Sequence, residues 1–242
     1  MLDPVTEASV DRLRDEIVAA FGQDLIAVAL FGSAAGSDFV RGRSDLNLAI
    51  VLRTIAVPQL EVLQRELPAW HKLGMATPIL LDPDFLARAV DVFPIELQDI
   101  QLRHRMLHGP DVFADISIDP AQLRFQLEQE VRAKLLRLRL AYVESDGSDE
   151  QLESLMLRSL KSFLSLAWAL ARRRNPAPPV GDREMLDAFC RDFSIELPVL
   201  QRLLNVRLQQ DSWWNLRRAI FAAYLAEVEA LVRLVDGLDG PA

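Results

Sequence analysis

The sequence predicts two structural classes in one chain: an α/β or α+β domain over residues 1–116, then an all-α helical bundle over residues 117–242. Three observations carry this reading. An apolar run from Ile26 to Phe31 and a second one opening at Asp45-Leu46-Asn47-Leu48 and running through Leu52 flank a polar loop, as two strands and their connection would. After residue 118 no strand pattern appears, and apolar residues recur at helical spacing. Asp-Pro pairs at 3–4, 82–83 and 119–120 each read as a helix cap followed by a first helical residue.

In chain order, Asp3-Pro4 opens a helix whose Val10, Leu13, Ile17, Val18 and Phe21 carry the helical pattern, and Gly22 ends it. The strand, loop and strand of residues 25–52 follow. Pro58 starts an amphipathic helix with Leu60, Leu63 and Leu67 on one face, and Pro68 predicts a break or restart before Trp70. Met75 to Leu81 reads as a third strand, held to a sheet edge or a bulge by Pro78. Short helices are expected at 84–90 and 93–99, and a last strand at 103–107 before the His108-Gly109-Pro110 turn.

The second half reads as helices throughout. Asp119-Pro120 begins a long helix to about Val143 with Leu123, Leu127, Val131, Leu135, Leu138 and Tyr142 near the three-to-four spacing. A turn at 145–149 leads to a second long helix ending near Arg174, where a cluster of arginines suits the helix dipole. Residues 175–179, Asn-Pro-Ala-Pro-Pro, make a stiff connector. Shorter helices follow at 184–192 and 198–209, and Asp211-Ser212 caps a final helix, 213–235, stopped by Gly237. Trp213 and Trp214 point about 100 degrees apart on that helix and are open to lining a pocket or to a plainer split, one toward the core and one half-exposed.

Composition excludes several classes. At 242 residues the chain can hold two modest cores, and its 50% apolar and 26% charged content is that of a globular protein. A formal charge of -8 argues against non-specific nucleic-acid binding, which needs clustered cations to replace counterions. The single cysteine, Cys190, has no intrachain disulfide partner, and a packing role in a reducing, cytoplasmic setting is expected. The acidic start, MLDPVTEASVDRLRDE, has no secretory core, and no apolar run is long enough to span a membrane.

Function-bearing residues concentrate between Leu25 and Leu52. Gly32 and Ser33 close the first strand and place a hydroxyl and nearby backbone N–H groups where an anion could rest. Alternation then puts Asp45 and Asn47 on one face of the second strand as two oxygen donors competent for a metal. Gly-Ser at a strand end, a spacer of eleven residues (34–44), and Ser44-Asp45 leading a second strand resemble the polymerase-β-like nucleotidyltransferase superfamily. Asn47 stands where that pattern has a second carboxylate, making the motif Asp-x-Asn. The strand at 75–81 carries no acid in the place where the superfamily usually keeps a third one, and Asp82, Asp84, Glu96 and Asp99 are the nearest acids in sequence.

The resemblance implies a mixed sheet backed by helices, and transfer of a nucleoside monophosphate from a nucleoside triphosphate to a small-molecule hydroxyl. It implies nucleotide contacts from Gly32, Ser33, Ser44 and Arg43, catalytic or metal-ligating roles for Asp45 and Asn47, and Mg²⁺ as cofactor. The added helical domain is similar in layout to antibiotic nucleotidyltransferases, and the acidic charge suits a small cationic acceptor. The alternative is a catalytically impaired relative that binds a nucleotide and works as a regulatory or protein-interaction module. The helical half lacks the Arg and His motif of the helical toxins that pair with small nucleotidyltransferases, since all three histidines precede residue 119. Arg41 and Arg43 are open to phosphate steering or plain solvation, and His71, His104 and His108 read as surface or turn residues.

Overall fold

The computed structural model describes residues 2–36, 39–42, 44–175, 181–208 and 217–238, apart from the side chains of Arg173 and Arg217. The chain divides into two compact units, Met1–Ile118 and Asp119–Ala242. The first is a four-stranded mixed sheet with helices, and the second is helical, so the fold class is α+β followed by all-α.

Helix α1, Pro4–Phe21, starts where the Asp3 carboxylate accepts from the N–H groups of Val5 and Thr6 at 3.1 and 3.2 Å. Its buried stripe of Val10, Leu13, Ile17 and Phe21 keeps the three-to-four spacing. Strand β1, Leu25–Phe31, pairs antiparallel with β2, Asn47–Leu52, with Phe31 opposite Asn47 and Leu30 opposite Leu48. Helix α2, Val57–Lys72, runs through Pro68 without the expected break. Pro68 and Gln64, four residues before it, are both exposed, so the carbonyl that loses its partner faces water.

Strand β3 is only Ile79–Leu81, shorter than expected, because Pro78 cannot donate to the ladder. It lies at the sheet edge, parallel to β2, and a separate bridge joins Leu46 to Met75. Helices α3, Pro83–Ala89, and α4, Pro94–Leu102, lead into β4, His104–His108, which closes the other edge antiparallel to β1. The strand order is β3-β2-β1-β4. Gly109 ends β4 at φ +76, and a Cβ there would sit 2.0 Å from the Ile26 carbonyl oxygen. Only glycine lets the two backbones approach so closely.

Alternation sorts the sheet's two faces. Val28, Leu30, Leu48, Ile50 and Leu52 pack with Val10, Leu13, Ile17, Leu63 and Trp70 in one core cluster. Ala27, Ala29, Ala49 and Val51 pack with Leu81, Ile100 and Phe113 in a second, with Phe31 and Met106 at its margin.

The second unit holds α5, Pro120–Glu144, α6, Asp149–Arg174, α7, Asp182–Asp192, α8, Pro198–Arg207, and α9, Arg217–Asp236. Helices α5, α6 and α9 pack on one another, with α7 and α8 against α6. The residues named for the connector after Asn175, for the Asp211-Ser212 cap and for Trp213-Trp214 lie outside the described residues. Helix α8 has no side-chain cap of its own; Glu227 of α9 accepts instead from the N–H groups of Val199 and Leu200 at 2.7 and 2.9 Å. No helix among the described residues is long and apolar enough to cross a membrane.

Candidate functional site

The geometry at the ends of β1 and β2 follows from their pairing. Because Phe31 sits opposite Asn47, the turn that begins at Gly32 and the residues that precede Asn47 meet at one end of the sheet. Gly32 takes φ +72, a left-handed conformation that favours glycine, and is buried. Its N–H donates to the Arg103 carbonyl at 2.9 Å, which ties the turn to the start of β4. A Cβ on Gly32 would meet Asn47 Nδ2 at 3.4 Å, so the Asn47 amide lies against the turn. Ala35 and Gly36 spend their N–H groups on the carbonyls of Gly32 and Ser33. With those and the Gly32 N–H committed, Ser33 and Ala34 are the donors that residues 32–36 keep for the expected anion cradle outside these bonds.

The polar groups here divide into those used by the fold and those left open. Ser33 is half-buried, Asp45 exposed and Asn47 half-buried, and none of the three side chains makes a hydrogen bond or ion pair among the described residues. Asp45 precedes β2 rather than belonging to it, two residues before Asn47. Ser44, in contrast, is a structural residue: its hydroxyl accepts from the Val40 N–H at 3.1 Å, and its own N–H donates to the Val40 carbonyl at 2.8 Å. Arg43 lies outside the described residues, and Arg41 approaches Asp3 at 3.9 Å instead of Asp45.

The acids nearest in sequence to the place of a third carboxylate are engaged in the fold. Asp82 caps α3 through the Phe85 N–H at 2.7 Å, Asp84 pairs with Arg88, and Asp99 binds the buried Arg103 guanidinium at 2.6 Å. Residues 75–77, which run beside Leu46 and Asn47, are Met, Ala and Thr. Among the described residues no group of three or more His, Cys, Asp or Glu could hold a metal ion.

The expected last strand does hold His104, but its side chain is largely covered instead of free at the surface. His104 belongs to β4 opposite Phe31, and it is neither a surface nor a turn residue. Its Nε2 meets Asp111 Oδ2 at 3.0 Å, its Nδ1 faces the Ile100 carbonyl at 3.0 Å, and its ring meets the edge of Phe113. Burial works to raise the Asp111 carboxyl, but the N–H of Phe113 and the His104 ring outweigh it and hold it below its ordinary range. The turn at 109–110 brings Asp111 back to His104, and no periodicity in the sequence announces such a pairing.

No family model matches the sequence, and no curated protein matches it. Among solved structures, the chain is similar to a spectinomycin adenyltransferase from Enterococcus faecialis, crystallised with ATP and spectinomycin. The match covers 95% of this chain and 99% of that one, at 9% identity and a TM-score of 0.56. The fold is that of the nucleotidyltransferases. Weaker likenesses, at TM-scores of 0.36 and 0.30, are to a nucleotidyltransferase-like protein from Exiguobacterium sibiricum and to an MntA-HpeT toxin–antitoxin structure. The first covers 93% of this chain and 74% of that one at 13% identity; the second covers 42% and 80% at 16%.

Within the nucleotidyltransferase fold the donor set can be tested against Mg²⁺. That ion commonly takes one or two carboxylates and fills its shell with phosphate oxygens and water. Asp45 supplies one carboxylate and Asn47 at most a neutral carbonyl oxygen. The set fits one ion brought in with a triphosphate. It does not fit a pair of metals, which needs more negative charge than one side chain carries.

Proposed function

We propose that this protein binds a nucleoside triphosphate at the β1–β2 end of the sheet and transfers its nucleoside monophosphate to a hydroxyl of a small molecule. The transfer breaks the α–β phosphoanhydride bond and releases pyrophosphate and the hydroxyl proton. One observation carries the proposal: Ser33, Asp45 and Asn47 are polar, adjacent at one end of the sheet, and spent on no contact among the described residues. Polar groups at a strand end that serve no internal bond are available to a ligand. The likeness over the whole chain to an adenyltransferase crystallised with ATP supports a nucleotide as that ligand.

In this reading Ser33 donates its hydroxyl to a phosphate oxygen, and Asp45 holds Mg²⁺ with Asn47 as a neutral second donor. The bound ion supplies Lewis-acid stabilisation of the charge that develops on the phosphates. Gly32, which carries no side chain, leaves room for the Asn47 amide to lie against the turn. The net charge of -8 favours a cationic acceptor.

A second reading, nucleotide binding without transfer, is favoured by one feature. The segment beside Asn47 is Met75, Ala76 and Thr77, and it offers no carboxylate to take the acceptor's proton. In that case the protein serves as a nucleotide-responsive regulatory or protein-interaction module. Single-turnover assays with labelled ATP and a panel of aminoglycoside and aminocyclitol acceptors separate the two, run on the wild type and on Asn47→Asp. Transfer by the wild type, raised at least tenfold by Asn47→Asp, supports the first reading. Bound but unreacted nucleotide in both proteins supports the second.

A further inference from the structure

We propose that the helical unit carries a ligand site of its own, for a small organic phosphate, in the cavity between α5 and α6. The cavity has a volume of about 240 Å³. Lys134 and Arg137 of α5 and Arg158 of α6 line it, together with the Ser162 hydroxyl and the apolar side chains of Leu138 and Phe163. No carboxylate lines it among the described residues. In a chain of net charge -8, three cations around one cavity without an acidic wall run against the composition.

The charges do not cancel internally. Lys134 pairs with Glu130, one turn earlier on the same helix. Arg137 and Arg158, from different helices, form no ion pair, hydrogen bond or ring contact among the described residues. Like charges on the rim of one cavity repel; at these exposed positions the repulsion is small, and an anion between them turns it into attraction. Two uncompensated guanidiniums match the charge of a phosphate monoester, about -1.5 to -2 at neutral pH. Their planar forks suit phosphate oxygens better than an ammonium would. The Ser162 hydroxyl, half-exposed and unbonded among the described residues, adds a donor.

The rest of the cavity fixes the other end of the ligand. Leu138 is 2% exposed and Phe163 is 1% exposed, so the floor is apolar and rigid. The volume lies below the roughly 300–1,000 Å³ of pockets for drug-sized ligands, which selects a phosphate on one ring or a short chain. This site is independent of the nucleotide reading above, since its lining belongs wholly to α5 and α6.

The test is calorimetric titration of the full chain with phenyl phosphate, benzoate and phenol. Phenyl phosphate is expected to bind saturably at a single site, more weakly as salt rises, and at least tenfold more tightly than benzoate or phenol. Substituting Arg137→Gln and Arg158→Gln together should weaken it at least tenfold. Both side chains are exposed, so the melting temperature of the doubly substituted protein should stay at the wild-type value. Asp45→Ala should leave phenyl phosphate binding intact. Binding that survives loss of both arginines, benzoate binding as tightly, or no saturable binding at millimolar phenyl phosphate would each overturn the proposal.

Discussion

The two faces of the sheet are written by alternate residues of the same two strands, yet they do different work. On one face Val28, Leu30, Leu48 and Ile50, all fully buried, fill the space beneath α1 and α2. On the other, Ala27, Ala29 and Ala49 present methyl groups, and that face ends in Asn47 and Phe31 beside the Gly32 turn. Large side chains hold one face to α1 and α2; small ones let Ile100 of α4 and Phe113 pack close to the backbone of the other, and only its end, at Asn47, stays unspent. The lesson is that alternate residues of one strand pair build two cores, one from large and one from small side chains, while the polar groups stand at the strand end.

The contrast can be broken most severely at Gly109. A Cβ there would overlap the Ile26 carbonyl, and φ +76 adds backbone strain. We expect Gly109→Ala to cost more than about 4 kcal/mol, an amount reserved for backbone clashes and lost cores, read as a lower urea midpoint. A midpoint within error of the wild type would mean that β4 does not approach β1 so closely. Next in size is Leu30→Ala, which empties a fully buried position on the helix-covered face. It should cost about 2–5 kcal/mol while leaving nucleotide affinity unchanged in the protein that remains folded. Loss of affinity out of proportion to stability would show that the two faces are not separable.

The helical unit offers a smaller effect through Glu227. Burial lifts its carboxyl above the ordinary 4.5, only partly offset by the N–H groups of Val199 and Leu200. A raised native value means the folded state binds the proton more tightly than the unfolded chain. Its contribution is therefore complete below pH 4.5 and is lost as pH rises through the native value. The difference in unfolding free energy between wild type and Glu227→Gln should thus grow in favour of the wild type as pH falls toward 4.5. A difference that stays flat with pH would show that Glu227 is solvated in the native state.

Much of this was legible in the sequence because the deciding physics is local. Apolar spacing placed strands at 26–31 and 45–52, within two residues of the observed Leu25–Phe31 and Asn47–Leu52, and Asp-Pro pairs located the starts of α1, α3 and α5. Pro68 misled, since its cost depends on whether the orphaned carbonyl reaches water, a tertiary fact. At the site, Gly32, Ser33, Asp45 and Asn47 were visible as a spacing. What spacing could not reveal was which donors the fold consumes: Ser44 closes its own loop, and Gly32, Ala35 and Gly36 spend their N–H groups within the turn or on Arg103. The His104–Asp111 contact and the cations between α5 and α6 come from packing between elements, and neither leaves a periodic trace.

The smallest structural perturbation carries the greatest weight for function. Asp45 is exposed and makes no contact among the described residues, so Asp45→Ala should shift stability by less than about 0.5 kcal/mol. The decisive measurement is calorimetric titration of wild type and Asp45→Ala with ATP and with GTP, each with and without Mg²⁺. We predict saturable binding of a nucleoside triphosphate by the wild type, strengthened by Mg²⁺, with the metal-dependent part absent in Asp45→Ala. Nucleotide binding that ignores both the metal and the substitution, or no binding at millimolar nucleotide, would contradict the account of this site.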